Sequence, residues 1–136
     1  MTTIDACLAK FRVGTNVCIA RRADRSALRV VTINMWGRRG AWDERRAVLK
    51  AGLAELSPDL ISFQEAIQTT AYDMVADLLG SHYHVAYQRH PEADGQSAAV
   101  ASRWPLEKVH EVDQRVTTRI SSASTTILAE LTAPDP

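Results

Sequence analysis

The chain has 136 residues, of which 46% are apolar and 24% charged, and its formal net charge is zero. That is the length of one domain able to bury a working core, with the ordinary composition of a soluble globular protein. No run approaches the ~20 apolar residues that a bilayer-spanning helix needs, and no internal repeat or low-complexity tract is present.

Residues 1–27 show no firm helical period, and they lack the basic start and apolar block of a cleaved secretion signal. Val13, Thr15, Val17 and Ile19 alternate as a short strand would, before the charged break Arg21-Arg22-Ala23-Asp24-Arg25. The segment is expected to be a poorly structured N-terminal extension, with the domain proper spanning 28–136. Cys7 and Cys18 lie in it without metal-ligand or disulfide spacing. They read as free thiols of a reducing compartment, and the expected location is the cytoplasm.

The β-branched run 29–34 predicts a strand, and Gly37-Arg38-Arg39-Gly40 a loop. A helix is expected over 43–56. Val48, Leu49, Gly52, Leu53 and Leu56 share one face, and Asp43 and Glu44 suit the dipole of the first turn. Pro58 ends that helix, because proline disfavours helical backbone at the residue before it. A short buried strand follows over 60–64, with Glu65 at its C-terminal end. A second helix is expected over 70–79, stopped by Gly80. Strands are expected over 82–88, 97–101, 106–112 and 126–131, with a loop at 90–95. The fold class is therefore α+β: a mixed β-sheet backed by two helices rather than a doubly wound parallel sheet.

Glu65 is the foremost candidate for chemistry. A carboxylate closing an apolar strand is costly to bury unless a cation or donor compensates it. Mg²⁺ takes oxygen ligands and often only one or two carboxylates, with water and phosphate completing its shell. The alternative is a surface glutamate paired with an arginine. Asn34, ending the first strand, offers an acceptor and two donors on a short side chain; it would orient a phosphate oxygen or ligate the ion, or else stabilise the turn toward Gly37. Gln64 either hydrogen-bonds near this site or caps its strand. Arg38 and Arg39 reach phosphate oxygens or are simply exposed.

The four histidines form no constellation, and there is no phosphate-cradling glycine motif, nucleophile elbow or paired-cysteine site. Trp36, Trp42 and Trp104 read as core or rim packing rather than stacking platforms. Charge is uneven: residues 1–50 hold eleven Lys or Arg against four Asp or Glu, a net +7, and the remainder carries −7. Such a basic first third attracts polyanions without identifying them.

Three blocks in this order resemble the endonuclease/exonuclease/phosphatase superfamily, the deoxyribonuclease I-like fold. They are Arg29-Val-Val-Thr-Ile-Asn-Met-Trp36, Pro58-Asp-Leu-Ile-Ser-Phe-Gln-Glu65 and Gly95-Gln-Ser-Ala-Ala-Val-Ala-Ser-Arg-Trp-Pro-Leu106. The resemblance covers about 28–131 and implies the N-terminal half of a four-layer α/β/β/α sandwich. It also implies a Mg²⁺- or Mn²⁺-dependent hydrolase of phosphodiesters or phosphomonoesters acting through metal-activated water. Glu65 matches the family's metal-binding glutamate, and Asn34 its active-site asparagine beside the metal and scissile phosphate. Substrates within the superfamily include nucleic acids, phospholipid head groups and small phosphate esters.

Family domains run to ~250 residues, and their later half supplies an aspartate–asparagine pair and an aspartate–histidine pair. Residues 1–136 are therefore expected to hold part of a site and to be inactive alone. With the second sheet missing, the uncovered sheet face is expected to promote self-association. The competing expectation is a non-catalytic binding or interaction module on the same half-sandwich.

Overall fold

The computed structural model describes residues 5–11, 15–21, 28–113 and 125–130. The N-terminal segment holds two strands, β1 (Asp5–Phe11) and β2 (Thr15–Arg21), paired antiparallel with Asp5 opposite Arg21 and Phe11 opposite Thr15. The expectation of a poorly structured extension is corrected to that extent, because the alternation at Thr15, Val17 and Ile19 does mark a strand. Val13 and residues 22–27, up to the expected domain boundary, lie outside the described residues.

A period of two organises the main sheet. In β3 (Val30–Asn34), Val31 and Ile33 are buried, Val30 and Thr32 are half-buried, and Asn34 is exposed. Parallel strands need a crossover connection, which α1 (Trp42–Leu56) supplies before β4 (Leu60–Ile67). Val31 then lies opposite Ile61, and Ile33 opposite Phe63. α2 (Met74–Leu79) leads to β5 (His84–Tyr87) and β6 (Gln96–Ser102). Both remaining pairings are antiparallel, so the sheet order is β3-β4-β6-β5. β7 (Lys108–Asp113) and β8 (Thr125–Glu130) form a separate antiparallel pair near the expected strands, whose last position, Leu131, lies outside the described residues. The fold is α+β, a mixed four-stranded sheet with two helices, as expected.

Both helices cover one face of the sheet. Val31, Ile33, Ile61, Phe63, Ala99 and Ala101 form a single buried cluster with Trp42 and Leu53 of α1 and Met74, Val75 and Leu78 of α2. Burying a side chain such as Phe63 stabilises the fold by about 1.5–3 kcal/mol. The apolar face of α1 differs from expectation, since Val48 is 54% exposed and the inward positions include Trp42, Arg45, Leu49 and Leu53.

α2 begins at Met74 rather than at residue 70, and the reason is local hydrogen bonding. Thr69 Oγ1 accepts from the N–H groups of Ala71 and Tyr72, which holds a turn there. Asp73 then caps the helix, its Oδ1 accepting from Ala76 N–H at 2.8 Å. Short polar side chains compete with helical backbone bonds in this way and so mark helix starts. Among the described residues no helix is long and apolar enough to cross a membrane.

Candidate active site

Strict alternation along β4 would send residue 65 to the same face as Ile61 and Phe63, driving a carboxylate into the helix-covered core. The strand avoids this with a bulge. Its register against β6 slips between Phe63 and Ala66, and Glu65 adopts φ +54°. Left-handed backbone costs a non-glycine residue about 1–2 kcal/mol, and it persists where the surroundings enforce it. Here Met35 N–H donates to Gln64 O at 2.8 Å and Gly37 N–H to Glu65 O at 3.1 Å. The bulge re-aims the side chain and returns Ala66 and Ile67 to the core. Glu65 is therefore not at the end of β4, as expected, but inside it.

The re-aimed carboxylate meets Asn34. Asn34 Nδ2 donates to Glu65 Oε1 at 3.0 Å, and Asn34 Oδ1 accepts from Trp36 N–H at 2.8 Å. The two residues, 31 positions apart, thus share one edge of the sheet, because β3 and β4 run parallel and in register. Asn34 uses both ends of its amide and acts as the orienting partner of Glu65. Arg39 Nη1 stands 3.7 Å from Glu65 Oε2, with 57% of the arginine side chain and 32% of the glutamate side chain exposed.

The turn between β3 and α1 is held by a residue that sequence reasoning missed. Arg45 Nη1 donates to Met35 O at 2.8 Å, and its Nη2 to Gly37 O at 3.2 Å and Arg39 O at 2.6 Å. Its guanidinium also lies 5.5 Å from the Trp36 ring centroid and 5.3 Å from that of Trp42. One cation therefore gathers three carbonyls of the segment that brings Trp36 and Arg39 to the site. The available signal was an arginine three residues after Trp42 and four before Leu49, on the inward stripe of α1.

The other candidates lie elsewhere. Gln64 Nε2 donates to Thr32 Oγ1 at 3.1 Å and Ser62 Oγ at 3.0 Å, on the sheet face away from the helices. Arg38 stacks its guanidinium 4.9 Å from the centre of the Tyr72 ring. Trp42 is core, as expected, whereas Trp36 is 52% exposed. A cavity of about 650 Å³ lined by Lys50, Leu53, Leu78, Leu79, Tyr83 and Arg103 contains neither Asn34 nor Glu65.

Two further polar clusters brace the scaffold. Arg46 grips Asp77 through Nε at 2.6 Å and Nη2 at 3.0 Å, and Tyr72 OH donates to Asp77 Oδ2 at 2.9 Å. The Arg46 hydrogen bonds hold the Asp77 carboxyl below its ordinary range. Burial, then the bond to Asp77, pushes the Tyr72 hydroxyl up. Burial and the Asp73 carboxylate do the same, more strongly, to Tyr87, whose OH lies 2.6 Å from Asp73 Oδ1.

Among the described residues no three His, Cys, Asp or Glu side chains converge as an all-protein metal cage. The hard oxygens of Glu65 nevertheless suit Mg²⁺ or Mn²⁺, ions that accept a carboxylate and fill their other positions with water and phosphate. Compared with family models, curated proteins and solved structures, the chain finds no match.

Proposed function

We propose that this chain carries the metal-holding portion of a divalent-metal-dependent phosphoesterase, hydrolysing a phosphodiester or phosphomonoester with metal-activated water. The observation supporting the reading is the 3.0 Å bond between Asn34 and Glu65 at a bulge in left-handed backbone. Strain of this kind clusters at functional sites, and here it turns a carboxylate outward. Glu65 would hold Mg²⁺ or Mn²⁺, and Asn34 would fix its rotamer. When bound, the ion supplies Lewis-acid neutralisation of charge developing on phosphate oxygens and lowers the pKa of its water. Arg39, long and exposed, compensates Glu65 and is within reach of an incoming phosphate.

The resemblance assigns the aspartates and histidine that prepare the nucleophile to segments after the matched blocks. The proposal concerns the metal and phosphate held at Asn34 and Glu65. A phosphate-ester partner, a cytoplasmic location and self-association through the sheet face opposite the helices belong to it.

Calorimetric titration with Mg²⁺ or Mn²⁺ tests the reading. Millimolar binding that Glu65→Gln abolishes, and that Asn34→Ala weakens by about 10–100-fold as loss of an orienting partner does, is the expected result. Indifference to metal and to both substitutions overturns it. That outcome would select the second reading, a non-catalytic binding module on the same scaffold.

A further inference from the structure

Trp36 departs from what an indole in a soluble domain normally does. It follows Asn34 by two residues and leaves 52% of its surface open, although burying it would gain more than burying any other side chain type. Its backbone is left-handed, with φ +54°, a conformation that bulky residues rarely adopt. Its N–H is tied to Asn34 Oδ1, the same amide that holds Glu65. The ring is positioned rather than loose. A Cβ at Gly40 would lie 3.0 Å from Trp36 Cζ3, so the six-membered ring rests on bare backbone, and the Arg45 guanidinium lies 5.5 Å from the ring centre. The next two side chains beyond Gly37 are Arg38 and Arg39, both exposed.

A rigid, half-open aromatic surface one side chain away from a candidate phosphate site, with Arg39 at that site, is the arrangement that engages single-stranded nucleic acid. Bases stack on aromatic faces while cations follow the backbone phosphates. We propose that Trp36 is the stacking platform for a base adjoining a phosphate reached by Arg39 beside Glu65, so that the site takes a single-stranded nucleic acid rather than a phosphate ester lacking a planar ring. This deepens the phosphoesterase reading and rests on it for the position of the phosphate.

The test is equilibrium binding of a fluorescein-labelled single-stranded oligonucleotide to the full chain, measured by anisotropy in EDTA. Binding then does not depend on metal, and the two proposals fail separately. Trp36→Leu is expected to weaken binding about tenfold, in line with the loss of one base–aromatic stack, whereas Trp36→Phe retains most of it. Inorganic polyphosphate, an anion without rings, competes equally well with the wild type and the leucine variant. Near-ultraviolet circular dichroism and thermal melts verify that both variants keep the fold. Three outcomes overturn the proposal: no oligonucleotide binding by the wild type, equal affinity of the leucine and phenylalanine variants, or the same loss for polyphosphate as for oligonucleotide. Loss with leucine but no Mg²⁺ binding in the calorimetric titration leaves the platform standing and removes the metal site.

Discussion

Three non-glycine residues with positive φ occur among the described residues, Trp36, Ser57 and Glu65. Ser57 closes α1 as a left-handed cap, its N–H donating to Leu53 O at 2.9 Å. The other two flank Asn34, so the unusual backbone is concentrated where the candidate chemistry lies. Such conformations require a surrounding that over-determines them, and Arg45 supplies much of it. Removing its guanidinium would strand the carbonyls of Met35, Gly37 and Arg39 in a half-buried turn. Arg45→Met is expected to lower unfolding free energy by about 3 kcal/mol, measured by urea denaturation, and to increase acrylamide quenching of Trp36. A loss below about 0.5 kcal/mol, the range of surface substitutions, would show that the turn holds itself.

At the scale of elements, the helices are joined to each other as well as to the sheet. The Arg46–Asp77 pair links α1 and α2 with bidentate geometry, which is stronger than a single ion contact. The folded value of the Asp77 carboxyl lies below its unfolded value. The stability contributed by this link is therefore fully present above the ordinary carboxylate range, near 4, and is lost as pH falls through the folded value. Melting temperature is expected to fall more steeply below about pH 4 in the wild type than in Asp77→Asn. Parallel acid limbs for the two proteins would remove the link from the account. Tyr87 has the opposite sign, since its raised value withdraws stability as pH rises above the usual tyrosine range.

Across the whole molecule, the two faces of the sheet differ. The helix-covered face is sealed, while Val30, Leu60, Ala98 and Val100 on the other face are only half-buried beside Thr32, Ser62 and Gln64. Apolar side chains in such a mixed face gain by meeting a second surface, at ~25 cal/mol per Å² of apolar area removed from water. Light scattering after gel filtration is expected to give a mass that rises with concentration. Val100→Glu, in the middle of that face opposite Ser62 and Ala86, is expected to hold the chain monomeric. A monomeric wild type at high concentration contradicts the self-association proposal.

Much of this architecture was legible beforehand, because it depends on interactions between residues close in the chain. A β-branched run marked β3, a short apolar run marked β4, Pro58 marked the end of α1, and Gly80 marked the end of α2. The pairing of Asn34 with Glu65 could be anticipated from strand, helix, strand order alone. The bulge could not. Its cause is the clash between a carboxylate at the buried phase of β4 and the helix-covered face, a conflict that exists only once β6 and the helices are packed. The inward role of Arg45 was hidden for the same reason, since a charged residue on an apolar stripe reads as an interruption until three carbonyls from another segment arrive to meet it. Sequence by itself determined most of the strands and helices after residue 28, and which two polar residues would meet. Tertiary structure alone decided which way the carboxylate faces and which tryptophan stays in water, because both depend on contacts between segments that only the folded chain brings together.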